Sequence, residues 1–189
     1  MTHPPARLRP SAALALLLGL LAAPATAQTA LAEAYPADVS SPEAVIEALY
    51  ETVNREPGQP WQSERSISLF LPDAVLVANS EQRAGPYVSQ SPEEFWGMIV
   101  GPGEIGGPAD RGFVEEEISR VIHQYGDIAQ AFSSYRKRFA DTDEILGRGI
   151  NSIQLVRNDG RWWIASMAWD EEVGAGPIPT EYGVGAAGW

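Results

Sequence analysis

The chain has no cysteine, which excludes disulfides, thiol nucleophiles and thiolate metal sites together. Histidine is almost as scarce: of the two, His3 lies in an N-terminal leader-like stretch, leaving His123 for the rest. That count rules out a histidine-built metal centre, and no loop carries the carboxylate spacing of a calcium or magnesium site. No metal and no cofactor is therefore expected. Lysine occurs once, at Lys137, so Schiff-base chemistry has a single candidate. Basic residues are few overall, 13 against 25 acidic ones, and the net charge is −12. Such a balance repels phosphate backbones and argues against nucleic acid as a partner. Long apolar runs are missing as well. The stretch at 11–23, rich in Leu and Ala, is shorter than the roughly 20 residues that a membrane span needs.

That stretch reads instead as the apolar part of a secretory leader. Arg7 and Arg9 precede it, and Ala25-Thr26-Ala27 comes after it as a small-x-small cleavage site. Residues 1–27 are expected to be a signal peptide cut near Ala27/Gln28, placing the protein in a periplasm or outside the cell, with no membrane contact after cleavage. Without Arg7 and Arg9 the basic residues fall from 13 to 11 against 25 acidic ones, a charge near −14. The remainder divides into a mobile lead at 28–40, one domain at 41–172, and a flexible Gly-rich tail at 173–189.

Four long strands dominate the domain: 113–125, 128–139, 146–157 and 161–170. Gly126-Asp127 and Asn158-Asp159-Gly160 are hairpin turns, because tight antiparallel connections need positive φ. Ahead of them, Ser41-Pro42-Glu43 opens a first helix, with Val45, Leu49 and Val53 recurring every four residues and Tyr50 at the edge of that stripe. A second helix is expected at 60–71, a short strand at 73–77, and a third helix from the capping box Ser91-Pro92-Glu93-Glu94. The fold class is α+β: three N-terminal helices packed on a strongly curved antiparallel sheet. Both alternation phases of the last strand are apolar, Trp162 and Ile164 on one and Trp163, Ala165, Met167 and Trp169 on the other. One face then covers the helices, and the other is expected to pair with a second copy of the chain through the open sheet face. The spacing Gly101-x-Gly103-x-x-Gly106 comes after a helix rather than a strand, so it reads as a loop, at most a lid, and not as a dinucleotide fingerprint.

Leu69-Phe70-Leu71-Pro72-Asp73-Ala74-Val75-Leu76, Tyr125-Gly126-Asp127-Ile128-Ala129 and Gly160-Arg161-Trp162-Trp163-Ile164-Ala165-Ser166 fall in the order seen in a known superfamily. Over residues 41–172 the chain resembles the nuclear transport factor 2-like (NTF2-like) superfamily, in particular its SnoaL-like and ketosteroid-isomerase-like branches. The resemblance implies a cone, cystatin-like in outline, with a pocket between the wrapped sheet and the helices. It implies little about activity, since the superfamily holds isomerases, cyclases, dehydratases, transport adaptors and plain binding domains. Carried over residue by residue, the isomerase pattern puts its carboxylate base at Ala78, its second acid near Asn151, and its helical tyrosine one position from Tyr50. Alanine cannot take a proton, so that reaction is not expected.

Other candidates come from the residues themselves. His123 is the natural general base if it reaches the pocket, and Asp170 at the end of the last strand can cap the pocket mouth. Asn151, an amide among apolar neighbours in phase, is either satisfied by backbone or bonds a ligand. Arg136, in phase with Phe132, either anchors an acidic ligand or points outward. Trp61, Trp96 and Trp162 join Tyr50, Phe132, Arg136 and Asn151 as expected pocket residues, suited to a small apolar or aromatic ligand. Glu115-Glu116-Glu117 is read as a solvated strand start. Two functions stay open: an exported binding or accessory domain, or a small-molecule isomerase, cyclase or dehydratase using His123 or Asp170 as proton carrier. The twin-covered sheet is directly testable: sedimentation at micromolar concentration should show a dimer, and a monomer would remove that expectation.

Overall fold

The computed structural model describes residues 35–79, 89–100 and 107–183. The leader, the turn at 83–86, the glycine spacing at 101–106 and the last six residues lie outside the described residues. Among those described, no helix is long and apolar enough to cross a membrane.

The first helix, α1 (Pro42–Val53), begins as its sequence directs. Ser41 accepts a hydrogen bond from the Ala44 amide at 3.1 Å, and Pro42 occupies the first helical position. Val45, Ile46 and Leu49 are buried, and Tyr50 is buried with them instead of lying at the stripe's edge. Helix α2 is only Ser63–Ile67. The sheet claims the residues beyond it, because Leu69 accepts from the Ile164 amide at 2.9 Å and Phe70 pairs with Ile164. Strand β1 therefore runs Phe70–Asn79, longer than the expected 73–77 and taking in the end of the expected second helix. After β2 (Ser89–Gln90), helix α3 (Pro92–Ile99) carries both bonds of the capping box between Ser91 and Glu94. The long strands are β3 (Val114–Tyr125), β4 (Ile128–Arg138), β5 (Ile145–Asn158) and β6 (Arg161–Glu171). Gly126, Asp159 and Gly160 all take positive φ at the two hairpin turns.

The sheet order is β2-β1-β6-β5-β4-β3. It is mixed rather than wholly antiparallel, since β1 runs parallel to β6. The two strands are far apart in sequence, so no hairpin dictates their direction. Bulges interrupt β1, β3 and β6, and each bends its strand. One inner face holds the core with the helices: Phe70, Leu76, Ala131, Ile153, Leu155 and Ile164 are all buried there.

Two flanking segments differ from expectation. In the lead, Pro36–Val39 forms a 3₁₀ turn, Val39 is buried, and Asp38 holds the Arg65 guanidinium at 2.8 Å. After β6 the chain forms α4 (Glu172–Ala175) and a 3₁₀ turn at Thr180–Tyr182, folded back over the outer sheet face. Glu172 pairs with Arg148 and accepts from the Ile178 amide at 3.0 Å, while Ile178 is buried. Tyr182 stacks on Phe132 at 5.2 Å, and its carbonyl accepts from Ser134 at 2.9 Å. Composition alone marks this stretch as glycine-rich; two side chains, Ile178 and Tyr182, dock it. Tyr182→Ala should lower stability by about 1 kcal/mol, the worth of one ring pair, with the loss read from urea unfolding.

Candidate functional site

A cavity of about 630 Å³ lies between the helices and the inner sheet face. That is within the range of small-molecule sites. Its wall is a chain of five rings in mutual contact: Phe113 with Trp61 at 6.0 Å, Trp61 with Trp96 at 5.7 Å, Trp96 with Phe95 at 5.8 Å, and Phe95 with Trp169 at 5.6 Å. Helix α3 supplies Phe95 and Trp96, the segment before α2 supplies Trp61, β6 supplies Trp169, and Phe113 stands just ahead of β3, bridged to Arg55.

The floor is polar. Glu115 of β3 pairs in register with Lys137 of β4, and Lys137 Nζ meets Glu171 Oε1 of β6 at 2.5 Å. Strand β5 makes room for them with glycine. A side chain at Gly147 would sit 2.8 Å from Lys137 Cε and 3.0 Å from Glu171 Oε2, and one at Gly149 would sit 2.6 Å from the Tyr135 hydroxyl. Next in phase on β5 stands Asn151, buried, its Nδ2 donating to the Tyr50 hydroxyl at 3.1 Å. The Tyr50 hydroxyl and Ser133 Oγ are 2.7 Å apart, and Ser133 donates to Glu117 at 2.6 Å. A carboxylate only accepts, so donation runs one way, from Asn151 through Tyr50 and Ser133 to Glu117. Arg120 closes the chain at the surface, bound to Glu117 and Glu47 at 2.9 Å each.

Electrostatics are set by this crowding. Burial pushes the Glu115 carboxyl up to about 7; the Lys137 ammonium and a hydrogen bond from Asn151 hold it down, and the charge of Glu171 raises it further. Burial, then the charge of Glu115, raises the phenols of Tyr50 and Tyr135 well above their ordinary value. The site thus offers a carboxyl that exchanges its proton near neutrality, beside an ion pair and two neutral phenols. Among the described residues no cluster of His, Cys, Asp and Glu is fit to hold a metal.

Of the residues singled out in the sequence, Trp61, Trp96 and Asn151 line the cavity. Tyr50 lies just behind Asn151 and reaches the site through it. Trp162 is buried in the core but does not line the cavity. Phe132 and Arg136 are on the opposite sheet face, one under Tyr182 and the other donating to Glu116 at 2.7 Å. His123 is exposed, opposite Gln130 on that same outer face, and cannot reach the cavity. Asp170 also misses it; its Oδ1 accepts from the Glu171 amide at 2.8 Å. The reason is the bulge in β6. Leu155 pairs with Ile164 but Gln154 with Ser166, so Ala165 is an extra residue and the phase reverses after it. Met167, Trp169 and Glu171 turn inward, and Asp170 turns out.

Sequence reading missed Glu115, Lys137 as a cavity residue, and Glu171. One signal was present: alternation along Glu115-Glu116-Glu117 sends alternate acids to opposite faces, so the strand start could not be wholly solvated.

No family model matches the sequence, and no curated protein matches it. Solved structures do. A cystatin-like-fold protein of unknown function from Nostoc punctiforme shares 14% identity, with a TM-score of 0.52 over 70% of this chain and 89% of that one. An NTF2-like protein of unknown function from Pseudomonas putida KT2440 shares 19% identity, also at a TM-score of 0.52, over 68% of this chain and 82% of that one. The fold is NTF2-like. At such identities the likeness concerns the backbone, and the chemistry of this NTF2-like chain rests on its own cavity.

A carboxyl whose folded value lies above its unfolded one binds more protons folded than unfolded. Glu115 therefore favours the fold below its ordinary value of 4.5, and that contribution is lost as pH rises through about 7. Glu115→Gln keeps the shape without the titration. It should exceed the parent in stability above neutral pH by about 2 kcal/mol, allowing for the residue's partial exposure, and match it near pH 4 in parallel urea melts.

Proposed function

We propose that this chain is an exported domain that binds a small, ring-bearing molecule in the cavity between its helices and sheet. The observation that carries the proposal is the five-ring wall above a floor of polar groups, an apolar container with a few directed hydrogen-bonding side chains. Export is supported by the leader-like start, with its basic pair, apolar run and small-residue cleavage site.

A second reading is favoured by one group. Glu115 sits on the cavity floor with its proton held to about pH 7, beside the Lys137–Glu171 pair. Such a carboxyl is suited to take a proton from one atom of a bound molecule and return it to another, the step shared by isomerases, cyclases and dehydratases. In that reading Glu115, rather than His123 or Asp170, is the proton carrier, and Asn151 and Tyr135 are the hydrogen-bond donors.

Ala78 lines the cavity and is buried, so a larger side chain there fills the space without touching the polar floor. The neutral dye N-phenyl-1-naphthylamine should brighten on binding the parent protein with micromolar affinity. Ala78→Phe should abolish that signal while leaving the circular dichroism spectrum unchanged. Equal brightening by both proteins would place the dye elsewhere and remove the binding proposal.

A further inference from the structure

Resting on the proposed binding function, we propose that the cavity selects organic cations: a ring-bearing amine whose ammonium is held by Glu115 and by the faces of the surrounding rings. The floor carries two carboxyls and one ammonium, and Lys137 is engaged by Glu171 at 2.5 Å. No other lysine exists in the chain. Arg55, near the cavity, lies 4.2 Å over the Trp61 ring and donates to the carbonyls of Gly107 and Pro108 at 3.1 and 3.2 Å. Arg55 has no carboxylate partner and its Nε is unpaired, but it stands behind Trp61 and does not line the cavity. Among the described lining residues Lys137 is the one cation, it is engaged by Glu171, and the Glu115 carboxyl is left in excess.

An anionic ligand would meet that excess with no uncommitted cation among the described lining residues to receive it. An uncharged ligand would fill the space but leave the Glu115 charge unanswered. A cationic one answers it and gains twice, since the negative faces of Trp and Phe rings attract ammonium groups, most strongly where water is excluded. The field outside agrees in sign: with a net charge of −12 the protein concentrates cations near its surface.

The preference tracks the ionisation of Glu115. The groups facing it are Lys137 and Tyr135 from β4, Asn151 from β5, Glu171 from β6 and Tyr50 from α1; Glu117 lies two residues along its own strand. Its backbone amide is fixed by Asn54 Oδ1 at 2.7 Å, so the residue is held in place whether or not it carries charge. Below neutral pH the carboxyl is protonated and the excess charge disappears, and the amine then loses its advantage. An arriving ammonium favours the ionised form, so binding slightly below neutral pH releases a proton to buffer.

Isothermal titration of the full folded protein with 2-phenylethylamine, 2-phenylethanol and 3-phenylpropionate separates the cases, since the three share a ring and differ in charge. At about pH 8 the amine should bind roughly tenfold more tightly than the alcohol, the size of a desolvated cation–π contact plus a charge partner, with the propionate weakest. The gap between amine and alcohol should close at about pH 5.5 on the parent protein, and at either pH in Glu115→Gln. The pH arm needs no variant, so the test survives a substitution that fails to fold. Equal binding of amine and alcohol at the higher pH overturns the selectivity while leaving the binding reading intact. Tighter binding of the propionate, or an amine preference indifferent to both pH and Glu115→Gln, overturns it too. Failure of all three together with N-phenyl-1-naphthylamine would remove the binding reading itself.

Discussion

A single ammonium serving two carboxyls is the constraint around which the interior is arranged. Lys137 cannot neutralise both Glu115 and Glu171, and away from water two like charges in one site are costly. Burial first keeps the Glu115 proton to near neutrality, and the charge of Glu171, which takes the short contact with Lys137, adds to it. The glycines of β5 are part of the same arrangement, because any side chain at 147 or 149 would displace the ion pair or the Tyr135 phenol. So is the ring wall: by excluding water it lowers the local dielectric, which strengthens every charge interaction on the floor.

Stability does not account for such an interior. Well-packed apolar side chains usually replace a buried ion pair with no loss, and often with a gain. Here the pair is joined to a hydrogen-bonded chain that crosses the core from Asn151 to Arg120 through Tyr50, Ser133 and Glu117. None of that chain's residues is among those with a buried, unpartnered side-chain polar atom, and its one-way donation fixes the Asn151 amide with its nitrogen toward Tyr50. A core that devotes so many polar groups to orienting one amide and one carboxyl departs from what packing alone favours. Departures of this kind gather where a protein binds or reacts.

Much of the scaffold was legible because its signals are local. Ser41-Pro42 and the Ser91–Glu94 box start helices through their own side chains, and the Asp-Gly and Gly-Asp turns set hairpin registers by backbone chirality. The site was harder to read because its determinants are not local. An extra residue in a strand has no mark of its own: Ala165 looks like any alanine, yet it decides that Glu171 and not Asp170 faces the cavity. Phase counted through a bulge goes wrong by one, and every residue beyond it changes face. The docking of Ile178 and Tyr182 depends on partners outside the tail's own sequence, on the outer face of β4 and at the Arg148–Glu172 pair. Glycine content said only that the tail was free to bend.

The position of the acid separates fold from chemistry. The resemblance to ketosteroid isomerases implies a base on β1, at the residue that is Ala78 here, and this chain keeps that wall apolar. Its titrating carboxyl comes instead from β3, at the other end of the six-stranded sheet, yet it opens into the same cavity. A cavity enclosed between helices and a bent sheet is reached from several strands, so a carboxyl can be delivered from either side without altering the backbone. What changes is the face that a bound molecule presents. A carboxyl on β3, with Lys137, Asn151 and Glu171 on the next three strands, puts the charged lining groups on the sheet, while the helical side supplies the rings of α3 and Trp61. A ligand in this cavity is thus ordered by its own polarity, charged end toward β3 and β4 and flat apolar end toward the helices, before any reaction is considered.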